Sequence, residues 1–458
     1  MNTQLKDWRE RLRTLGKQYF EIEEMMRLGF VNIPQEQLNV LEKGYKEIVR
    51  INKELQKLNK ELQGVQDVTP LLKEIRRKRI ERVKAARVLK KIEKKALQEA
   101  HKRQVAEKKR KTPYYLGEGV SKGLKFTDSE ATLLQKNNLP LLQNVDELAE
   151  QSKLTASQWI WLSYHRRAAE VDHYTRFQIP KKKGGFREIA APKKTLRQAQ
   201  GWLLVNILSK LPIHEKALAF TKGKSIQDNA QVHLNKAVVL KMDLKDFFPS
   251  IKFPRVKGLF KKMGYNEGIA TLLALVCTDA YRVTAKLKGK AYYVALGERF
   301  LPQGACTSPA ITNMISRHLD VRLHQLAEKA GWQYTRYADD LTFSTNQPDA
   351  DVGKMIKLVT YIVKSEDFTV HPDKTTVMRP HQRQAVTGIV VNNAENRISR
   401  RDFRKFRAFL HQLTTKGEKV MSEQLGKDAK SYAQGYWAFI HMVNPTQAQK
   451  LKQQYEWL

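Results

Sequence analysis

Two β-prone runs in this chain each lead into carboxylates, and any fold it adopts must accommodate both. The first is Val238-Val-Leu-Lys-Met-Asp243-Leu-Lys-Asp246-Phe-Phe248, an apolar strand ending on one acid, then a second acid, then an aromatic pair. An Asp at the end of a buried strand is poorly solvated and needs a partner or a metal. The second is Tyr334-Thr-Arg-Tyr337-Ala-Asp339-Asp340-Leu-Thr-Phe-Ser344, which alternates like a hairpin with two adjacent acids at its turn. Crowding two negative charges there is unfavourable unless a cation neutralises them. Successive strand residues point to opposite faces, so one acid can lead a metal site while the other plays an outer role. Mg²⁺ takes carboxylate oxygens together with substrate phosphates. A pair of such ions about 3.5–4 Å apart activates an attacking hydroxyl and steadies a leaving pyrophosphate.

Charge points to the substrate class. The 458 residues hold 83 Lys or Arg against 47 Asp or Glu, a net of +36. An excess this large calls for a polyanionic partner, because Lys and Arg displace the counterions condensed on a phosphate backbone. With 41% hydrophobic residues the chain has material for a core, and its length suggests about three domains. The longest apolar run, Ile269 to Cys277, is far short of the roughly 20 residues that cross a bilayer. The charged stretch Met1 to Lys17 has no apolar signal segment. Cys277 and Cys306 are too few for a disulfide framework or a structural zinc site. These features predict a cytoplasmic protein with no membrane partner.

The first third reads as helix. Leu5, Trp8, Leu12, Leu15, Tyr19, Ile22 and Met26 form a heptad seam, interrupted by Gly29, Asn32 and Pro34. A second seam runs Leu41, Tyr45, Ile48, Leu55 and Leu62, with Asn52 and Asn59 at two of its positions, and Gly64 to Pro70 breaks it. Leu71 to Lys111 carries 18 Lys or Arg and 5 Glu, too lopsided for self-neutralising surface pairs, and reads as an arm along RNA or DNA. Thr112 to Gly123 has Gly117, Gly119 and Gly123 at the wrong spacing for a phosphate loop and reads as a flexible joint. Beyond Asp128 the texture is mixed. Gln200 to Leu211 predicts an amphipathic helix, Ala237 to Asp243 a buried strand, and Ser399 to Leu458 a return to helix. The expected division is 1–111, a basic helical extension; 112–127, a linker; 128–398, a mixed domain; and 399–458, a helical domain.

Asp243 with Phe248, and Tyr337-Ala-Asp-Asp340, resemble the palm motifs of reverse transcriptases. Leu301-Pro-Gln-Gly-Ala-Cys-Thr-Ser-Pro309 between them is similar to the motif before the palm helix, with Cys306 where many relatives have proline. Ile179-Pro-Lys-Lys-Lys-Gly-Gly-Phe-Arg187, followed by Ile189 and Pro192, resembles the fingers. The resemblance implies an α+β right-hand polymerase of fingers, palm and thumb, with an all-α N-terminal extension. It implies Asp243, Asp339 and Asp340 as catalytic, and Asp243, Leu244, Asp339 and Asp340 around two Mg²⁺ ions, Mn²⁺ being a possible substitute. The dNTP would meet Lys181, Lys183, Arg187, Asp246, Phe247, Phe248, Gln303 and Gly304. Phe248 would lie beneath the sugar and exclude a 2′-hydroxyl.

Asn229-Ala-Gln-Val-His233 and Val386-Thr387-Gly388 resemble two short elements of retron reverse transcriptases. That likeness implies copying of a cognate structured non-coding RNA into single-stranded DNA (msDNA), primed from an internal guanosine 2′-hydroxyl. It also implies a role in anti-phage defence beside a separate or fused effector. Asn229, His233, Val386, Thr387 and Gly388, with Arg400, Arg401 and Arg404 of the expected thumb, are the candidate RNA contacts. A structural role for His233 outranks a catalytic one. The competing readings are a group II intron-like or diversity-generating reverse transcriptase, and a non-catalytic RNA-binding protein on a polymerase fold. Only about 60 residues follow Arg400, little room for intron maturase and endonuclease regions, and the intact acids argue against the non-catalytic reading.

Overall fold

The computed structural model describes residues 4–61, 69–181 and 184–458, and the chain divides into two compact units, Met1–Lys102 and Arg103–Leu458.

The first unit is helical. Helices α1 (Gln4–Leu15) and α2 (Lys17–Arg27) pack with α3 (Gln35–Glu61). The first expected seam is not one helix, because Gly16 adopts a φ of 85° that turns the chain between α1 and α2. Burial at Leu15 and Tyr19, and the Tyr19 ring 5.6 Å from that of Tyr45, hold the three together. On α3 the expected seam is half-covered at Leu41, Tyr45 and Leu55, while Ile48 faces solvent. Leu62 and most of the expected break after it lie outside the described residues. Pro70, the last residue of the expected break, sits in the first turn of α4 (Thr69–Lys111), where its missing N–H costs nothing.

The segment 112–123 is not a loose joint. Leu116 is fully buried, its N–H donates to Ser121 Oγ at 2.9 Å, and its carbonyl accepts from the His165 N–H at 2.7 Å. Gly117 runs so close to His165 that a Cβ would fall 2.2 Å from the His165 carbonyl oxygen. Gly117 here serves close packing rather than flexibility.

Short helices α5 (Ala131–Lys136), α6 (Val145–Ser152) and α7 (Ala156–Ser163) lead to strand β1 (Ala168–Ala169) and the hairpin β2 (Tyr174–Pro180)–β3 (Phe186–Pro192). Helix α8 (Lys194–Asn206) ends before Leu211; a separate 3₁₀ turn covers Leu208–Lys210. After α9 (Ile226–Gln231) come β4 (Val238–Asp243), α10 (Phe247–Ser250), α11 (Phe253–Lys262) and α12 (Glu267–Cys277), which is buried from Gly268 onward. A long hairpin, β5 (Asp279–Leu287)–β6 (Lys290–Phe300), is followed by α13 (Ser308–Ile315), α14 (Arg317–Lys329), β7 (Gln333–Tyr337) and β8 (Asp340–Thr345). Then come α15 (Val352–Ser365), β9 (Thr376–Met378) and the small ladder β10 (Ala385–Val386)–β11 (Ile389–Val390).

The central sheet has the order β7-β8-β4-β9, all antiparallel, with Asp243 directly opposite Asp340. Its core is built from Val238, Leu240, Met242, Leu341 and Phe343 with the helices α12, α14 and α15. A second core holds the C-terminal helices α16 (Arg400–Lys416), α17 (Glu418–Leu425), α18 (Ala429–Val443) and α19 (Pro445–Gln454). Phe406, Leu410, Ala433 and Ile440 lie in that core together with Val386 and Ile389 of the small ladder. Among the described residues, no helix is long and apolar enough to cross a membrane.

Candidate functional site

Strand β4 delivers Asp243 to the sheet's end, and the β7–β8 turn delivers Asp339 beside it. Ala338 holds φ at 58°, a left-handed conformation that lets the two-residue turn close. The Leu244 N–H donates to the Asp339 carbonyl at 2.9 Å, tying the turn to the strand end. Of the two adjacent acids, Asp339 faces an open cleft of about 1030 Å³, whereas Asp340 pairs with Lys241 Nζ at 3.6 Å. Lys374 Nζ lies 2.7 Å from Asp243 Oδ2. Burial, reinforced by the neighbouring Asp243 and then Asp340 charges, lifts the Asp339 carboxyl above the ordinary aspartate range. Burial likewise lifts Asp340, against the pull of Lys241.

This set fits a hard divalent cation. Ionised carboxylates that raise one another's pKa are relieved by positive charge between them. Among the described residues no three His, Cys, Asp or Glu side chains gather closely enough to hold a metal alone.

The same cleft collects most of the expected nucleotide residues. Lys181, Arg187, Leu244, Asp246, Phe247, Phe248 and Gln303 all line it with Asp339. Lys181 and Arg187 are exposed on the β2–β3 hairpin, whose turn is closed by the Lys181 N–H donating to the Gly185 carbonyl at 2.9 Å. Lys183 lies outside the described residues. Phe248 is half-buried and edge-on to Phe220, while Phe247 is almost wholly core, against Phe368. Gly304 lies under β3 rather than on the cleft wall. A Cβ there would fall 2.8 Å from the Ala190 carbonyl oxygen and from Ile189 Cγ2, so the backbones can cross only at glycine.

The Asn229–His233 and Val386–Gly388 elements, 157 positions apart at their first residues, meet in space. The Thr387 hydroxyl donates to the Ile226 carbonyl at 3.2 Å, the Asn235 N–H donates to the Val391 carbonyl at 2.8 Å, and Ala230 shares a core with Val386 and Ile389. His233 sits between Ser344 Oγ and Thr335 Oγ1, each at 2.7 Å, and fastens α9 to the β7–β8 hairpin. Burial pushes its pKa down to about 3. Asn229, His233 and Val386 have no exposed surface. The expectation that these three touch RNA is therefore corrected to a buried position, where His233 and Val386 hold the fold together; Gly388 is exposed and Thr387 partly so. Arg400, Arg401 and Arg404 are exposed on α16 and do not line the cleft.

Residues that the sequence reading passed over are Lys374, Lys241 and the buried pair Asp320–Arg336. The run His371-Pro-Asp-Lys374, a polar turn before a β-prone segment, was the available signal for Lys374.

Comparison with known proteins follows the same lines. The family profile described as "Reverse transcriptase (RNA-dependent DNA polymerase)" matches residues 179–432. The chain is 43% identical to the Retron Mx162 reverse transcriptase of Myxococcus xanthus, over 68% of this chain and 66% of that enzyme. It is 38% identical to the Retron Mx65 reverse transcriptase of the same organism, over 69% and 72%. It is 32% identical to the Retron Ec86 reverse transcriptase of Escherichia coli, over 61% and 81%. Among solved structures, Candida albicans telomerase is similar at 14% identity and a TM-score of 0.37, over 52% of this chain and 46% of that one.

Proposed function

Because this chain belongs to the reverse transcriptases, and among them to the retron enzymes, we propose that it copies a cognate structured RNA into single-stranded DNA, starting from an RNA 2′-hydroxyl. The observation that carries this reading is the convergence of Asp339, Lys181, Arg187 and Gln303 on one open cleft, with Asp243 at the adjoining strand end and its partner Lys374 on the cleft wall. Asp243, Asp339 and the Leu244 carbonyl would hold Mg²⁺, or Mn²⁺ in its place, with Asp340 in support. Bound there, such ions supply charge neutralisation at the attacking and leaving oxygens of nucleotidyl transfer.

The protein's own groups do the rest. Lys181 and Arg187 bind and orient the triphosphate, Arg187 through its planar fork of donors. Phe248 packs beneath the sugar and excludes a 2′-hydroxyl, selecting dNTPs. Lys374 neutralises Asp243 until substrate and cation arrive. Contact between the Asn229–His233 and Val386–Gly388 elements supports the narrower retron reading, since it leaves Gly388 and Thr387 at the surface of the core that holds the C-terminal helices. Family membership also underlies the proposal that the DNA product stays joined to its RNA as msDNA and serves in anti-phage defence beside a separate effector.

The test is expression with native flanking DNA, followed by analysis of the co-purified nucleic acid. A single-stranded DNA whose mobility shifts after debranching, and which is absent from Asp339→Asn, is the expected result. RNA without DNA in the unaltered protein would overturn it.

A further inference from the structure

Helix α4 (Thr69–Lys111) is continuous for 43 residues, about 65 Å at 1.5 Å per residue. Along it only Ile75 is even partly covered among the side chains described. A helix with no buried face gains nothing from packing, and like charges three or four residues apart destabilise it. Such an element holds many repulsive pairs here: Arg87 with Lys91, Lys90 with Lys94, and Lys91 with Lys95 are each four apart. From Arg82 to Lys95, seven basic residues stand against the single acid Glu93.

The charge is also sorted by face. At 3.6 residues per turn, Lys73, Arg77, Lys84, Arg87, Lys91, Lys95 and Lys102 fall within about 80° of arc. All five glutamates, Glu74, Glu81, Glu93, Glu99 and Glu107, fall outside that arc. The basic stripe spans 29 positions, about 44 Å. The large apolar residues Ile80, Val83, Val88, Leu89, Ile92 and Leu97 are spaced three, five, one, three and five apart, so they build no heptad seam for a partner helix.

We infer that this stripe of α4 is a docking surface for the phosphate backbone of duplex RNA. The occupant is the structured RNA of the polymerase reading, on which this inference rests, gripped outside the segment being copied. A polyanion laid along the stripe removes the helix's own repulsion as it binds, and a row of point charges reads backbone rather than sequence.

The experiment uses the full chain and a 20-base-pair RNA stem-loop as probe. Salt dependence of binding is compared between the unaltered protein, Arg87→Gln with Lys91→Gln on the stripe, and Lys78→Gln with Arg82→Gln on the opposite face. Glutamine keeps helix propensity, and circular dichroism checks the helix. The stripe pair should lower the slope of log affinity against log salt by about 1.4 to 1.8, at roughly 0.7–0.9 per lost phosphate contact. Its opposite-face counterpart should lower it by less than half of that. Extension of a short pre-annealed primer–template should stay within twofold in both. Equal slopes for the two pairs, or an unchanged slope for the stripe pair, overturn the inference. So does equal binding of the unaltered protein to phosphatidylglycerol vesicles lost with the same pair. Failure of the polymerase reading would show separately, as absent extension by the unaltered protein with the RNA slopes intact.

Discussion

Arg336 and Asp320 form a fully buried, two-pronged ion pair directly under the Asp339 turn. Arg336 Nε and Nη2 donate to the two Asp320 carboxylate oxygens, each at 2.7 Å, and Nη1 donates to Asn313 Oδ1 at 3.0 Å and to the Ala338 carbonyl at 3.2 Å. Tyr334 adds a hydrogen bond to Asp320 at 2.8 Å. The guanidinium thus braces, through Ala338, the left-handed residue on which the Asp339 position depends.

Removing one member leaves a buried charge unpaired, which typically destabilises by about 3–5 kcal/mol. Arg336→Ala should therefore lower the denaturant midpoint sharply, and Arg336→Met with Asp320→Leu should recover much of the loss. Extension by the double variant should remain slow even where stability returns, because the Ala338 carbonyl has lost its donor. Denaturant curves and primer-extension rates on the same preparations check both parts.

Asp339→Asn should stabilise the protein in EDTA at neutral pH while abolishing extension. A carboxyl whose folded pKa is raised holds its proton more tightly folded than unfolded. Its ionisation therefore costs stability above the folded pKa, and the cost vanishes below the unfolded value of 3.8. The gain from Asn should accordingly shrink as the pH falls toward 3.8. A variant less stable than the parent at pH 7 would show that something other than charge crowding governs this position.

His233 predicts the opposite trend. Its pKa falls from 6.5 to about 3 on folding, so the stability it contributes is full above pH 6.5 and is lost as pH drops toward 3. His233→Gln should be less stable at pH 7, yet flatter than the parent between pH 6.5 and 4 in urea titrations. Parallel curves would place the acid sensitivity elsewhere.

Gly304→Ala should slow extension and lower stability together. The new methyl meets the Ala190 carbonyl at 2.8 Å, and φ is +107°, a conformation that side chains resist. Strain of this kind typically amounts to about 1–3 kcal/mol. Because Ala190 N–H also donates to the Gln303 carbonyl at 2.8 Å, the shift should propagate to the cleft and raise the apparent KM for dNTPs more than that for primer–template.

Much of this site was legible because its signals are local. The hairpin around Asp339 and the apolar run into Asp243 are each properties of about ten consecutive residues, although β7 and β8 are buried on both faces and do not show the expected alternation. For Lys374 the polar turn His371-Pro-Asp-Lys374 is visible in the sequence, but its partner is not, since nothing near it says that it folds back over 131 positions to Asp243. Asp320 carries no local signal, being one acid on a helix until the fold sets Arg336 against it. The 112–123 segment misled because its glycines suggest freedom, whereas Leu116 and Val120 bury themselves in the main core. Asn229, His233 and Val386 were recognisable as a pattern, but burial, which a pattern does not reveal, turns them inward.

The contact between Thr387 and Ile226 has a practical consequence for engineering. Two segments that look like independent cassettes are halves of one joint, closed further by Asn235 on Val391. Exchanging the 386–388 segment alone between relatives would join mismatched halves. Exchange of 226–235 together with 384–391 keeps that joint whole, provided that Thr335 and Ser344, which hold His233, are matched as well.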